Sequence, residues 1–175
     1  MAENTTLPDK TINYNVYDDG NRLLGTATIE LPELAYISDT LSGSGLAGEI
    51  ETGVIGHFQA LSVTINWNAI TEESVKLLAN TSKTLTFRVA QQKLDTAETK
   101  QTVGKVKIVV RTLPKSLSLG SLEMGQKTDS NNVMEVPYIK VEIDDNEVLE
   151  IDKLNYICKI DGEDLLTDVR SALGL

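Results

Sequence analysis

The residues that could do chemistry in this chain are few, and their surroundings argue against most of it. A single histidine, His57, follows Gly56 and precedes a predicted strand, without the nucleophile and orienting carboxylate that imidazole catalysis needs. A single cysteine, Cys158, excludes an intramolecular disulfide and a cysteine-based metal cluster. Its place in an alternating apolar run suits a buried thiol acting as a small hydrophobe. Asp144-Asp145-Asn146-Glu147-Val148 offers oxygen ligands, but the fifth loop position has none and the following glycine is missing, so an EF-hand is excluded. Asp161-Gly162-Glu163-Asp164 is better read as a turn followed by a helix N-terminus. Ser42-Gly43-Ser44-Gly45-Leu46-Ala47-Gly48 has the glycine spacing of a phosphate loop but lacks the Lys-Ser/Thr ending. No catalytic residue, cofactor site or metal site is expected.

Composition narrows the classes further. Lys plus Arg number 16 and Asp plus Glu 26, a net charge of −10. A nucleic-acid reader draws its affinity from cations placed on phosphates, and this balance argues against one, as it does against docking on an anionic membrane. Charged residues make up 24% of 175 residues without low-complexity runs, which fits one folded domain with a sizeable core. The start, Met1-Ala2-Glu3-Asn4-Thr5-Thr6, has neither a basic nor an apolar targeting region, and no stretch approaches the roughly 18 apolar residues of a membrane span. A chain without a signal peptide, made and kept in a cytoplasm, is the expectation.

The framework that must carry these residues is mostly strand. Apolar residues alternate with polar ones at period two in six places. Ala27, Ile29 and Leu31 share a face, as do Leu61, Val63, Ile65 and Trp67, then Leu85, Phe87 and Val89. Val106, Ile108 and Val110 alternate with Lys105, Lys107 and Arg111, with Val109 breaking the rule. Tyr138–Ile143 and Leu154–Ile160 follow the same pattern. Strands with one apolar and one polar face build antiparallel sheets that meet water or another subunit on one side.

Two short helices are predicted beside them. Residues 71–80 have Thr71 as cap, Glu72 and Glu73 where the helix dipole favours acids, Ile70 and Val75 spaced for a hydrophobic staple, and Asn80 as a stop. Residues 164–173 carry the stripe Leu165, Leu166, Val169 and Leu173, closed by Gly174. That stripe should cover an open end or flank of a barrel.

Residues 36–57 form a long hairpin around the glycine-rich tip Ser42-Gly43-Ser44-Gly45, with Gly48 beyond it. Leu41, Leu46, Ile50, Val54 and Ile55 give it apolar surface that a free loop would leave wet. A costly-to-order tip with apolar residues at intervals suits a segment that orders on a partner. A second loose stretch is expected over residues 116–132.

The order of motifs resembles a known family. Glu147-Val148-Leu149-Glu150-Ile151-Asp152, Leu154-Asn155, Lys159-Ile160-Asp161-Gly162 and the ending Arg170-Ser171-Ala172-Leu173-Gly174-Leu175 are similar to the end of the major tail tube proteins of contractile-tailed phages and phage-tail-like bacteriocins. Asn15-Val16-Tyr17-Asp18-Asp19-Gly20 with Leu24-Gly25, and Leu31-Pro32-Glu33-Leu34, resemble its opening. The resemblance implies one tail-tube domain over residues 1–175, a mainly β, antiparallel barrel or sandwich with one or two short flanking helices and the long hairpin. It implies hexameric rings of self-associated copies stacked into a hollow tube, for passage of DNA or of effectors and ions. Sheath, tape-measure and baseplate proteins would be partners, in a virion tail or bacteriocin particle assembled in the host cytoplasm. It also implies that the hairpin reaches a neighbouring subunit. The alternative from the residues alone is a monomeric β-sandwich that binds carbohydrate or another ligand, its acidic loops forming a rim.

Overall fold

A computed structural model describes residues 6–23 and 25–175, with the backbone alone at Ala27. The sequence readings that fall on residues 1–5, on Leu24 and on the face of Ala27 lie outside the described residues. The strands are β1 (Thr6–Asp18), β2 (Asn21–Leu23), β3 (Thr26–Glu30), β4 (Tyr36–Leu41), β5 (Ile50–Phe58) and β6 (Ser62–Trp67). Helix α1 (Glu72–Lys76) precedes β7 (Lys83–Asp95), β8 (Lys100–Ser118), β9 (Ser130–Ile143) and β10 (Asn146–Asp152). Strands β11 (Ile157–Ile160) and β12 (Glu163–Asp164) lead to α2 (Thr167–Leu173). The fold is mainly β and antiparallel with two short helices, as the alternating patterns predict.

The main sheet runs β12-β11-β10-β9-β8-β7-β1-β2, and β6 adds β3 to it through β9. One edge of β9 pairs with β8. Its other edge pairs with β6 over residues 130–135, then with β10 over 138–143. The exchange falls at Val136-Pro137, where Val136 donates to the Leu61 carbonyl and Pro137 has no N–H to place. Register also slips there, since Arg111 faces Tyr138 but Leu113 faces Glu135. A bulge of this kind bends a sheet, and here it folds the β3–β6 end over the inner face of the rest.

Cross-strand register then dictates the core. Val16, Phe87, Ile108, Val141, Leu149 and Ile160 form one row across six strands, and Leu85, Val110, Ile139, Ile151 and Cys158 form the next. Against them, Leu61, Val63, Ile65 and Trp67 are wholly buried, with Met134 and Val136 from β9. The buried face of β9 begins with two polar residues, Ser130 and Asn132. Trp67 accounts for Asn132: its indole N–H donates to Asn132 Oδ1 at 2.8 Å, and Asn132 Nδ2 donates to the Ser74 carbonyl at 3.0 Å. The largest core side chain is thereby tied to α1.

Four predicted boundaries move. The strand expected over Leu154–Ile160 begins at Ile157, because residues 153–156 turn and Tyr156 has φ 52°. Leu154 is consequently exposed, and only Cys158 of that face is buried. The stretch expected to be loose over 116–132 shrinks to 119–129, since Leu117 pairs with Asn132 and Ser118 with Asn131. Helix α1 ends at Lys76; Thr71 and Ser74 form a reciprocal capping box, but Ile70 and Val75 are exposed and make no buried staple, Leu77 being the buried anchor. Asp164 lies in β12 rather than in a first helical turn, and α2 starts at Thr167 and closes at Gly174, φ 75°.

Replacing Asn132 with Ala should lower the free energy of urea unfolding by about 1–3 kcal/mol, because the Trp67 N–H is left buried without an acceptor. An unchanged midpoint would show that the bond is dispensable.

Candidate functional site

Strands β4 and β5 form a two-stranded sheet of their own. Its base is tied to the body. The Tyr36 ring stacks on Phe58 at 4.6 Å, Gln59 N–H donates to the Ala35 carbonyl, and Lys153 Nζ donates to the Gln59 carbonyl at 2.6 Å. Between the Tyr36–Phe58 and Ser38–Gly53 pairs, β5 bulges through Val54–His57. Gly56 makes this corner possible: its φ is +65°, and a Cβ there would stand 2.5 Å from the Leu166 side chain. Beyond this corner Leu41, Leu46, Ile50, Val54 and Ile55 are all exposed, and Ser42, Gly43, Ser44, Gly45 and Gly48 lie in the connecting tip. The hairpin therefore presents apolar side chains to whatever lies outside the body.

The terminal stripe divides. Leu166 is buried and both Leu165 and Val169 pack against the core, whereas Leu173 is 57% exposed. The flank is therefore sealed by Leu165 and Leu166, just ahead of the helix, together with Val169 in its first turn. Asp164 holds the helix there, accepting from Leu166 N–H and from Arg170 Nη2 at 2.7 Å, while Arg170 Nη1 donates to the Tyr156 carbonyl. The Arg170 bond keeps the Asp164 carboxyl below its ordinary range.

The catalytic candidates do not come together. His57 lies near the end of β5, ahead of the predicted strand that forms β6, with Nδ1 2.8 Å from the Ile55 carbonyl and its ring edge-on to Tyr156. Cys158 is buried, and burial pushes its thiol pKa up, away from a nucleophile's range. Asp144-Asp145 is a two-residue turn joining β9 to β10, both φ values positive, and Asp144 accepts from Lys93 and from the Lys105 N–H. Asp161-Gly162 forms the same kind of turn between β11 and β12.

The outer face of the main sheet is the second organised surface, one that sequence reasoning glimpsed only at Lys105, Lys107 and Arg111. Lys107 meets Glu142 at 2.9 Å, and Lys140 bridges Glu142 and Glu147 at 3.2 and 2.7 Å. Lys159 meets Glu150 at 2.8 Å, and Glu150 also accepts from Tyr138 Oη. Bonds from Lys107 and then Lys140 lower the Glu142 pKa, that from Lys159 lowers Glu150, and those to Glu147 and Glu142 raise Lys140. Burial, then the bond to Glu150, raises the Tyr138 phenol. This is a partly exposed ladder of mutually neutralised charge.

The architecture is an antiparallel sheet folded on itself, with a protruding hairpin and a polar outer face. The family model for phage tail tube protein FII matches residues 8–174, and the chain belongs to that family. It is 28% identical over 174 residues to the tail tube protein of Escherichia phage P2, covering 97% of this chain and 99% of that protein. To the major tail tube protein of Serratia phage KSP20 it is 25% identical over 171 residues, covering 97% and 98%. Its fold is similar, at TM-score 0.53 and 10% identity, to a solved chain covering 75% of this one and 94% of that one, from the sheath/tube terminator of an extracellular contractile injection system. The chain is a structural tail tube protein.

Glu142 and Glu150 have pKa values below those of the unfolded chain, so their stabilisation is complete above about pH 4.3 and fades as pH falls through the lowered values. The thermal midpoint should therefore drop on acidification below that point. Glu142→Gln and Glu150→Gln should lower the midpoint at pH 7 and flatten the acid limb. Parallel pH profiles for variant and wild type would remove the ladder from the stability account.

Proposed function

We propose that this subunit forms hexameric rings that stack into the hollow inner tube of a contractile tail, of an infectious phage or a phage-tail-like bacteriocin, with the hairpin reaching a neighbouring copy. The observation that carries this reading is the hairpin itself. It is fixed at its base, separate in its hydrogen bonding, and apolar where it is exposed. Burying a side chain such as Leu41 or Ile55 on a neighbour is worth about 1.5–3 kcal/mol each, while the tip's conformational entropy opposes ordering until a partner is present. Assembly would then favour growth on an existing ring over association of free monomers.

The polar strand faces suit a water-filled bore, and a ring is a head-to-tail interface that closes on itself. The sheath would surround this tube, a tape-measure protein would occupy it during assembly, and a baseplate would seed it. Assembly takes place in the host cytoplasm and the product is carried in the particle's tail.

Deleting Leu41–Gly48 should leave a monomer that unfolds cooperatively but forms no tubes in electron micrographs. Hydrogen exchange should find residues 41–50 unprotected in the monomer and protected in the tube. Tubes of normal length from the deleted chain would sink this reading.

A further inference from the structure

The pairing of charges on this subunit is incomplete in a patterned way. Among the described residues most Lys and Arg side chains have a carboxylate within 4.0 Å; Arg22, Arg88, Lys100, Arg111 and Lys127 do not. The three arginines of this set lie on one surface. Leu23 and Val16 point inward as an opposed pair, so Arg22 on β2 points outward beside Tyr17. Arg88 on β7, between the buried Phe87 and the half-buried Val89, is outward beside Asn15 and Lys107, and Arg111 on β8 is outward beside Thr84 and Tyr138. Two of them lie over tyrosine rings, Arg88 at 6.0 Å from the Tyr17 centroid and Arg111 at 4.5 Å from that of Tyr138. A guanidinium laid on an aromatic ring keeps its N–H fork free for a carboxylate or phosphate while its flat face covers apolar surface.

The same chain carries the complementary deficit. Between Arg22 and Lys76 the sequence has no Lys or Arg at all, and the hairpin within that stretch bears Asp39, Glu49 and Glu51. None of the three has a cation within 4.0 Å; Glu51 accepts only from Ser38 Oγ at 2.5 Å, and Asp39 from the Thr40 N–H. Cross-strand register sets Asp39 and Thr52 on the same side as Leu41 and Ile50, and Glu51 with Thr40 on the opposite side, while Glu49 lies in the tip beside Ile50. The hairpin is thus an acidic strand pair with apolar residues between its carboxylates, the chemistry an arginine-on-tyrosine surface is suited to take.

We infer that the outer face carrying Arg22, Arg88 and Arg111 receives the acidic hairpin of a second copy of this chain. Unpaired arginines facing a passing polyanion would hold it through released counterions, which favours a protein carboxylate as their partner. Each subunit supplies one hairpin and one arginine face, so the contact repeats head to tail, one per subunit. It rests on the assembly reading above: tube formation by the wild type tests that reading, and exchange of charges tests this surface.

The test uses the full chain. Arg88→Glu with Arg111→Glu, and separately Asp39→Lys with Glu49→Lys, should each cut the sedimentable tube yield at least about tenfold at low salt, as expected for like charges brought together. All four changes in one chain should restore it to within about twofold of wild type, with thermal unfolding of the monomers confirming that each variant folds. A folded four-change chain that stays unassembled overturns the inference. The milder Arg88→Gln with Arg111→Gln guards against failure to fold, and should lower tube yield in a salt-dependent way. Normal tubes from that variant overturn it too, whether or not passage of DNA is altered; altered passage would assign the face to nucleic acid.

Discussion

A β-strand has two edges, and β9 must serve three partners. The fold depends on how it does so. By keeping β8 along one edge and exchanging β6 for β10 along the other, β9 belongs to both layers of the structure. Pro137 sits at the exchange, where an ordinary residue would bring an N–H with no ladder to join. Everything inward of that corner is a consequence. β6 closes over the rows of apolar residues from β1, β7, β8 and β10, and Trp67 reaches Asn132 at the far end of the same β6–β9 pairing. Both ends of β6 thereby acquire a task, since α1 is tied to one and the hairpin springs from the other.

The outward face of the same sheet obeys a different rule. Its lysines and glutamates stand opposite one another in register, so each strand pairing also pairs charges. Half-exposed pairs contribute little each. Their larger effect is to settle which neighbours a strand accepts, because a slip of one residue would bury Lys107, Lys140 and Glu150 and expose Ile108, Ile139 and Ile151. The chain's excess acid lies elsewhere, much of it in the cation-free stretch that includes the hairpin. A net charge of −10 is therefore no description of any one surface.

Legibility in the sequence follows the same division. Strands with a clean apolar face, such as Leu61–Trp67, can be read directly, because period-two alternation is the burial pattern itself. The start of β9 cannot, since its inward residues are Ser130 and Asn132, and only the need of Trp67 for an acceptor explains why they are inside. Leu154 and Tyr156 mislead for the opposite reason: they alternate correctly with Cys158, but a residue at φ 52° has already turned the chain. The turns Asp19-Gly20 and Asp161-Gly162 carry an explicit hairpin signature, while Asp144-Asp145 resembles a cation loop until both of its positive φ values are seen. Of the proposed assembly surface, the hairpin's apolar residues are legible by position. The arginine face is not, because Arg22, Arg88 and Arg111 come together only through the pairing of β2, β1, β7 and β8.

Exposed apolar strand pairs invite indiscriminate association, and the hairpin's carboxylates answer that hazard as well as marking its partner. A hairpin laid on a second hairpin by the face that carries Leu41 and Ile50 brings Asp39 toward a like charge, a contact that disfavours symmetric pairing. A symmetric dimer would bury the apolar residues and end growth. A head-to-tail contact buries them and leaves one hairpin and one receiving face free at the ends of the chain of contacts. In the proposed assembly, growth continues until the ring closes or the tube reaches its length. The acidity of the hairpin, Asp39, Glu49 and Glu51, thus bears on polymer geometry more than on stability, which is why it can go without a cation within the subunit.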